Sequence, residues 1–336
     1  MTRWLRLALA LVVAVPLVLG GCGGGRDALT IYSGRTENLV GPLLQKFNDE
    51  TGIAIDVKYG DSAELALLLG EEGERTPADV FISQSPGATG YLAAKGLLGE
   101  LDSAELDAVD PAWRNREGRW VGTTVRQRVL VYNTRLVKPA DLPRSIFEVT
   151  GPAYRGEVAV APSNGSFQDF VSAMRQLAGE DRTRAWLEAM VGNDSPVYAN
   201  NNAIVEAVGR GEVPMGLVNH YYNYRFKAEN PDQPTANHVF ADGDPGSLVI
   251  PSTASALAGT DKADEARRFI DFLLSGPSQE YFRDQTFEYP LAAGVQPSAG
   301  LPPLEPAKLP RIDIDRLGVE LTGTVEMIRA SGLEDS

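Results

Sequence analysis

Short apolar runs alternate with longer stretches of helical spacing from Leu29 onward. Residues 29–33, 53–59 and 80–82 are rich in β-branched and aromatic side chains and predict strands. Between them lie segments such as residues 38–51, in which apolar side chains recur every three or four positions up to a glycine and predict helices. Strands separated by helices of this length form parallel βαβ units, so the pattern predicts an α/β protein.

Two extended runs, residues 119–132 and residues 247–250, break this alternation. Between them the pattern resumes with predicted helices at 145–149 and 202–208 and a brief predicted strand at 197–199. Strands that cross between two α/β lobes leave a cleft, and such clefts are preferred ligand sites. Closure of a cleft of this kind around a ligand is a hinge motion.

The crossing runs also suggest how the chain divides into lobes. We expect an N-terminal lobe made of residues 29–127 and 252–302, and a C-terminal lobe made of residues 128–251 and 303–336. The chain would then pass between the lobes more than once, so neither lobe is one continuous segment.

The first 22 residues have a different composition. Arg3 and Arg6 precede an apolar stretch, residues 7–19, which is followed by Cys22. That stretch is shorter than the ~20 residues of a membrane-spanning helix, so residues 1–21 are interpreted as a secretory signal. The sequence before Cys22 resembles a bacterial lipobox, which predicts an extracytoplasmic protein anchored to the membrane through lipidated Cys22.

Residues 22–28 are glycine-rich at their start and predict a flexible tether. Cys22 is the only cysteine of the chain. A disulfide framework and a thiolate metal site are therefore both excluded.

The formal net charge of −14 argues against nucleic acid as a partner, because phosphates require a basic surface. The sequence contains no Gly-x-Ser-x-Gly elbow, no phosphate-binding Gly-Lys-Ser/Thr loop and no His-Glu-x-x-His pair. Its only histidines are His220 and His238, and a lone histidine is usually structural. We predict no enzyme; a secreted hydrolase on the same architecture is the alternative of another class, because a fold does not dictate function.

Tyr221 and Tyr222 follow an apolar run, residues 214–218, that predicts a buried strand. Ligands of open α/β sheets gather outside the carboxyl ends of strands. A phenol has a pKa near ~10, but a trivalent cation can displace its proton. The resulting phenolate is a hard oxygen donor suited to ferric iron. The alternative is that both rings are half-buried aromatics with their hydroxyls in water.

Five segments together resemble a known family: Ile31-Tyr32-Ser33-Gly34-Arg35, Pro77-Ala78-Asp79-Val80-Phe81, Val129-Leu130-Val131-Tyr132-Asn133, Gly211-Glu212-Val213-Pro214 leading to Asn219-His220-Tyr221-Tyr222, and Gly243-Asp244-Pro245-Gly246-Ser247-Leu248-Val249. Each segment alone is weak evidence for a family, but the order and spacing of the five segments together are specific. They are similar to the bacterial ferric-iron-binding proteins, the solute-binding components of ABC-type iron importers. The resemblance covers the chain from Leu29 to its C-terminus. It implies the type II periplasmic-binding-protein fold with two lobes, a monomer, and a permease in the membrane as partner.

The resemblance further implies that Tyr221 and Tyr222 bind Fe³⁺, the transported ligand, at the mouth of the cleft. One branch of the family adds a histidine and a glutamate, but the matching positions here are Thr36 and Gln84. Another branch adds a third tyrosine, whose position here is Phe167. Only the tyrosine pair is intact. The expected additional donors of the first lobe are Thr36, Gln84 and the neighbouring Glu37.

Fe³⁺ with two phenolates keeps one positive charge and an incomplete coordination shell, which family members commonly complete with phosphate or carbonate. The sequence offers guanidinium forks, a helix N-terminus and asparagine amides for such an anion. The candidates are Arg35, Arg126, Asn164, Gly165, Ser166, Asn201 and Asn219. For the two arginines the alternative is an ordinary surface salt bridge, and for the asparagines it is capping or turn chemistry.

A second hypothesis dispenses with iron. In it the chain binds an oxyanion or an organophosphonate directly, with a pocket formed by Arg35, Arg126, Ser166 and Asn201. The absent histidine and glutamate motivate this alternative. A ligand that binds only the native state raises its melting temperature, so thermal-shift measurements separate the two hypotheses.

Overall fold

The computed structural model describes residues 28–305 and 308–335. The predicted signal peptide, Cys22 and the predicted tether up to residue 27 lie outside the described residues. Within the described ranges, no helix combines the length and the apolarity that a bilayer-spanning segment requires.

One mixed β-sheet runs through the described part of the chain. Its strands are β1 (Leu29–Ser33), β2 (Ile55–Tyr59), β3 (Val80–Ser83), β4 (Val121–Asn133), β5 (Val158–Ala159), β6 (Met215–Asn219), β7 (Thr235–His238), β8 (Val249–Ala256) and β9 (Tyr289–Pro290). The strand order is β2-β1-β3-β8-β4-β6-β5, and β7 and β9 also pair with β4. Parallel pairs lie at the two ends of this order, and antiparallel pairs with β8 and β4 join them.

The helices separate the strands as the sequence predicts. They are α1 (Glu37–Thr51), α2 (Ser62–Glu72), α3 (Pro86–Ala94), α4 (Ser103–Asp107), α5 (Gly165–Ala178), α6 (Glu180–Gly192), α7 (Asn201–Arg210), α8 (His220–Glu229), α9 (Ala263–Leu274), α10 (Gly276–Tyr281) and α11 (Ile314–Ser331). The predicted α/β class is confirmed.

Strand β4 belongs to both parts of the sheet. Its first half pairs with β8, from Val121 opposite Ala254 to Gln127 opposite Val249. Its second half pairs with β6 and begins with Arg128 opposite Asn219. The long crossing strand predicted from the apolar run therefore exists, and it connects the β1–β3 part of the sheet to the β5–β7 part.

Several local predictions differ from the structure. The second crossing strand, β8, begins only at Val249, because Asp244 accepts a hydrogen bond from the Gly246 amide and fixes a short 3₁₀ turn over Pro245–Ser247. The predicted helix at 145–149 is reduced to a 3₁₀ turn at Glu148–Thr150, since Pro152 follows closely. The strand predicted at 197–199 is a single bridge between Val197 and Val160.

Helix α7 ends two residues later than predicted, at Arg210. It passes through Gly209, and its C-cap residue is Gly211, whose φ of 75° is left-handed. Gly209 is needed for packing instead, because a Cβ there would lie 2.7 Å from Phe226 Cε1.

Helix α11 contacts helices from both parts of the sheet, packing against α3 and α5. At its crossing with α3 two glycines meet, and a Cβ on Gly318 would lie 2.1 Å from the carbonyl carbon of Gly90. The backbones of α3 and α11 therefore touch at this crossing.

Candidate metal centre

The two tyrosines lie just after the junction of a strand and a helix. Buried strand β6 leads directly into α8, so Tyr221 and Tyr222 are the second and third residues of that helix. Their rings stack with centroids 4.2 Å apart and an interplanar angle of 28°. Tyr221 is fully buried and Tyr222 is 7% exposed, so the alternative of half-buried rings with their hydroxyls in water does not describe this pair.

Both phenol oxygens converge on one nitrogen. Gln84 Nε2 donates to the Tyr221 hydroxyl oxygen at 2.9 Å and to the Tyr222 hydroxyl oxygen at 3.1 Å. Gln84 follows β3 directly, and its backbone amide donates to Ser62 Oγ at the start of α2. The contact therefore joins the β1–β3 part of the structure to the helix that carries the tyrosines.

The environment of Tyr221 disfavours its anion in the metal-free protein. Burial raises the pKa of the Tyr221 phenol well above its ordinary value, and the neighbouring Tyr222 adds to this effect. Arg35 and Arg126 act in the opposite direction on that pKa. The Tyr221 phenol is thus neutral at physiological pH in the metal-free protein.

The other donors expected from the first lobe lie apart from Gln84. Thr36 is the exposed N-cap residue of α1, and its hydroxyl donates to Asn38 Oδ1 at 2.6 Å. Glu37 is also exposed in the first turn of α1. Burial raises the pKa of the nearby Tyr59 phenol, and the charge of Glu37 adds to this effect. Among the three candidates, only Gln84 contacts the two phenols.

Arg35 is buried and already paired. Its Nη1 donates to Glu288 Oε1 at 2.9 Å, and Nη2 contacts the second oxygen of the same carboxylate. Nη1 also donates to Ser252 Oγ, and the guanidinium lies 6.0 Å from the centre of the Tyr221 ring. Arg35 therefore forms an internal ion pair beside the tyrosines and not a surface salt bridge. Glu288 has no motif around it, and sequence reasoning missed it.

Two further arginines follow on alternate residues of β4. Arg126 is fully buried, donates through Nη1 to the Pro251 carbonyl at 2.8 Å and places Nη2 3.6 Å from Asp169 Oδ2. Arg128 donates to Ser166 Oγ and to the Leu217 carbonyl, both at 3.3 Å. Burial lowers the pKa of Arg128 to about 9, with Arg126 adding to the effect, so it stays charged at neutral pH. Sequence reasoning identified Arg126 but not Arg128 or Asp169.

The start of α5 brings four of the predicted anion-binding residues together. Asn164 caps the helix, with its Oδ1 accepting from the Ser166 amide at 3.1 Å. Asn201 Nδ2 donates to the same Asn164 oxygen at 3.2 Å and to Ser166 Oγ at 3.3 Å. The Gly165 amide faces Asp61 Oδ2 at 3.4 Å. Asn164 thus caps α5, and Asn201 donates a hydrogen bond to the oxygen of this cap.

Asn219 and Phe167 complete the set of predicted positions. Asn219 is buried at the N-cap position of α8, and its Nδ2 has no hydrogen-bond partner. Phe167 is buried with Phe170 and Trp186, and its ring lies 5.6 Å from the Arg128 guanidinium. The residue at the position of the third tyrosine therefore offers no phenol oxygen. Its ring packs against the guanidinium of Arg128 instead.

His220 is structural although it adjoins Tyr221. Its Nδ1 accepts from the Gln127 amide at 3.1 Å, and its Nε2 lies 2.9 Å from the Phe287 carbonyl oxygen. The first contact requires a lone pair and the second a proton, so both nitrogens of a neutral ring are used. Burial lowers the pKa of His220 to about 4. His238 similarly contacts the Pro143 carbonyl at 2.7 Å.

No group of three or more His, Cys, Asp or Glu side chains in the described residues could hold a metal ion. A hard cation bound near α8 would therefore depend on the phenol oxygens. A two-part α/β sheet with crossing strands and polar groups meeting between the parts defines the class of two-lobed solute-binding proteins.

Comparisons with known proteins agree with this class. The family model described as bacterial extracellular solute-binding protein matches residues 75–318, and the chain belongs to this family. The Fe(3+)-binding periplasmic protein of Serratia marcescens is 32% identical over 329 residues, covering 96% of each chain. The major ferric iron-binding protein of Neisseria meningitidis serogroup B is 31% identical over 316 residues, covering 92% of each chain.

A solved structure is similar as well. Iron-bound HitA from Pseudomonas aeruginosa has 33% sequence identity and a TM-score of 0.87, covering 91% of this chain and 100% of that one. The two-lobed type II fold implied by the family resemblance is confirmed.

Proposed function

We propose that this chain captures ferric iron with the phenolates of Tyr221 and Tyr222 and delivers it to an ABC importer. The observation that carries the proposal is the convergence of both phenol oxygens on Gln84 Nε2, at 2.9 and 3.1 Å. Two adjacent oxygen atoms that face the same donor are positioned to bind one cation. The similar proteins of Serratia marcescens and Neisseria meningitidis are named as ferric-iron-binding proteins, which supports iron as that cation.

Capture begins with loss of the two phenol protons to solvent as iron binds. Phenolate is a hard ligand, and Fe³⁺ is a hard ion that lowers the pKa of its ligands. In the metal-free protein the Gln84 amide nitrogen faces the phenols, and rotation of that amide would present Oε1 to the iron as a neutral donor. Thr36 and Glu37, exposed at the start of α1, remain secondary candidates that only a rearrangement would bring to the iron.

The remaining coordination positions are assigned to a synergistic anion, phosphate or carbonate. The proposed anion site uses Arg126, Ser166, Asn201 and Asn219, with Asn164 and Gly165 at the N-terminus of α5. Arg35 lies beside the proposed anion site but does not bind the anion, because both Nη atoms of its guanidinium contact the Glu288 carboxylate.

The lobes are proposed to be residues 29–127 with 252–302 and residues 128–251 with 303–336. Contacts such as Gln84 with the tyrosines would form on closure. Docking of the closed, monomeric protein on a membrane permease would then release the iron. The same proposal includes secretion by residues 1–21 and anchoring through lipidated Cys22. No enzymatic step is part of this role.

The test is an iron titration followed by visible absorption. A ferric phenolate gives a charge-transfer band, and we expect Tyr221→Phe and Tyr222→Phe each to weaken it strongly. Tyr224→Phe is the matched control, since Tyr224 lies on the same helix but stacks on Phe287. A colourless titration of the unmodified protein would reject the ligand assignment. If phosphate or a phosphonate alone then raised the melting temperature, the oxyanion hypothesis would replace the iron hypothesis.

A further inference from the structure

Asp169 of helix α5 binds the N-terminus of a different helix, α3. Its Oδ1 accepts from the Ser85 hydroxyl at 2.7 Å and from the Gly87 amide at 3.1 Å. Ser85 is the N-cap residue of α3, and Gly87 is the second residue of that helix. The two bonds connect residues that are 84 and 82 positions apart in the chain, so they are tertiary contacts and not local capping.

The contact joins the two parts of the sheet. Helix α5 packs through Phe170 in the core that contains Leu217 of β6. Helix α3 packs through Leu92 in the core that contains Phe81 of β3. Asp169 is fully buried, so its bonds to α3 are shielded from water. Both bonds would therefore have to break if α3 and α5 moved apart.

The turn that leads into α3 has the geometry that this carboxylate needs. A Cβ on Gly87 would lie only 2.5 Å from Asp169 Oδ1, so a residue without a side chain leaves the room for it. Ser85 Oγ accepts from the Ala88 amide at 3.2 Å, and its own proton is therefore free for Asp169. Ser83 Oγ donates to the Ser85 carbonyl at 2.8 Å and accepts from the Ser85 amide at 3.0 Å, which fixes the backbone of the turn.

Asp169 carries its negative charge at neutral pH. Burial raises the pKa of its carboxyl group to about 6, and Asp61 adds to this rise. Arg126, whose Nη2 lies 3.6 Å from Asp169 Oδ2, acts on that pKa in the opposite direction. A negative charge at a helix N-terminus is favourable because the helix dipole is positive there. The charge of Asp169 therefore strengthens its contact with α3.

Gln84 lies within this turn. It directly precedes Ser85, and its Nε2 is the atom that contacts the Tyr221 and Tyr222 hydroxyl oxygens at 2.9 and 3.1 Å. Its backbone amide donates to Ser62 Oγ at 3.0 Å, which ties the turn to α2. The bonds of Asp169 tie the same turn to α5, on the part of the sheet from which the tyrosines follow. The position of the Gln84 amide relative to the phenols thus depends on Asp169.

We propose that Asp169 is a positioning residue of the metal centre, which holds the Gln84 amide against Tyr221 and Tyr222 by binding the start of α3 from α5. Asp169 acts through Gln84, since its own bonds go to Ser85 and Gly87. The consequence for iron binding rests on the proposed function, whereas the placement of Gln84 does not require iron.

Gly87→Ala tests the placement of Gln84 in the iron-free protein. The added Cβ would displace the Asp169 carboxylate but leave every charge in place. The readout is hydrogen exchange of the Gln84 side-chain amide in proton–nitrogen NMR spectra, with the signal assigned by its absence in Gln84→Leu. We expect exchange to be about tenfold faster, the usual weight of a hydrogen bond to a charged group.

Gly276→Ala is the matched control for this variant. Gly276 is the first residue of α10, and a Cβ there meets no atom within 4 Å. Exchange of the Gln84 amide should therefore be the same in Gly276→Ala as in the unmodified protein. Unchanged exchange in Gly87→Ala as well would overturn the proposal.

Asp169→Asn keeps the series informative if Gly87→Ala does not fold. Asparagine retains an acceptor oxygen but no charge, and neutral hydrogen bonds are about half as strong as charge-assisted ones, so exchange should be about threefold faster. Ser172→Ala is the control, because Ser172 is another buried polar residue of α5, and its Oγ lies 2.6 Å from Thr324 Oγ1 of α11. A purely structural role would lower the melting temperatures of both variants and leave Gln84 exchange unchanged, which would contradict the proposal.

Iron titrations test whether Asp169 acts through Gln84. Gly87→Ala should weaken iron binding about tenfold, as expected for loss of a hydrogen bond to a charged group. Because Gly87→Ala and Gln84→Leu remove the same contact, the double variant should bind iron little more weakly than Gln84→Leu alone. Independent losses that add to about a hundredfold in the double variant would overturn the proposed route.

The two proposals fail in different ways. If the charge-transfer band depends on Tyr222 but neither the iron affinity nor the Gln84 exchange changes in Gly87→Ala, the role of Asp169 is wrong and the iron function stands. If the unmodified protein shows no band while exchange of the Gln84 amide is faster in Gly87→Ala and not in Gly276→Ala, the iron function is wrong and the positioning role stands.

Discussion

Gln84 and Tyr221 are 137 positions apart in the chain, yet Gln84 Nε2 lies 2.9 Å from the Tyr221 hydroxyl oxygen. Gln84 follows β3, and Tyr221 is in the first turn of α8, so the contact spans the region between the two parts of the sheet. The same nitrogen reaches Tyr222, so one amide directly links both phenols to the β1–β3 part of the sheet.

The substitution Gln84→Leu should weaken both the closure of the two proposed lobes and the binding of iron. The variant removes the amide that bridges the phenols and leaves their hydroxyls without this partner, so we expect about tenfold weaker iron binding. Small-angle X-ray scattering of the iron-free variant should give a larger radius of gyration. Gln45→Leu is the control, since Gln45 is exposed on α1 and bonds only within its own helix. Equal radii and equal iron affinities for Gln84→Leu and the unmodified protein would contradict a bridging role.

Gln84→Glu should change the anion requirement. A carboxylate at this position adds one negative charge beside the iron, so iron should bind with less dependence on added phosphate or carbonate. Iron titrations with and without carbonate measure this difference. A variant that still needs carbonate as strongly as the unmodified protein would place residue 84 outside the coordination shell.

Much of the fold can be predicted from the sequence, because the apolar period distinguishes strands from helices and a glycine such as Gly52 marks a helix end. The tyrosine pair can also be identified, since it directly follows a buried strand. Prediction fails where a role depends on a distant partner. Arg35 and Glu288 are 253 positions apart, and nothing local to either residue indicates their ion pair.

The role of Arg128 and the continuation of β8 beyond Ile250 cannot be predicted from the sequence, for two different reasons. On an extended run, Arg128 cannot be distinguished from any other strand arginine until Asn219 is placed opposite it. Strand β8 contains Pro251, which argues against a central strand when only the sequence is known. The fold tolerates it because ladder pairing continues on both sides of that proline.

Gly318→Ala should destabilise the protein by about 1–3 kcal/mol, as overpacking usually does. Its Cβ would overlap the backbone of α3, because the Gly90 carbonyl carbon would be 2.1 Å away and cannot move as a side chain could. Urea denaturation measures the change. Gly192→Ala is the control on α6, where a Cβ meets no atom within 4 Å. Equal free energies of unfolding for both variants would disprove the close α3–α11 contact.

His220 should make the iron-free protein less stable in acid. Its pKa is lowered to about 4 in the folded protein by burial. The unfolded chain has the ordinary value near ~6.5, so it binds the extra proton first as the pH falls. The free energy of unfolding should therefore decrease from about pH 6.5 to about pH 4, by up to about 3 kcal/mol from this group.

His220→Gln isolates that contribution. Glutamine can accept from the Gln127 amide and donate to the Phe287 carbonyl, so it replaces both contacts of the ring without titrating. Urea denaturation at pH 7 and pH 4.5 should show a smaller acid loss in the variant than in the unmodified protein. Equal losses would mean that His220 is already charged or exposed in the folded state.

The most direct measurement is a crystal structure of the iron-loaded protein with anomalous diffraction at the iron edge. The account predicts a single anomalous peak within bonding distance of the Tyr221 and Tyr222 hydroxyl oxygens, in the space that Gln84 Nε2 faces in the structure described above. An oxyanion should fill the adjacent density beside Arg126 and Arg128. An iron peak away from both phenols, or an organic anion filling that space with no iron, would contradict the account.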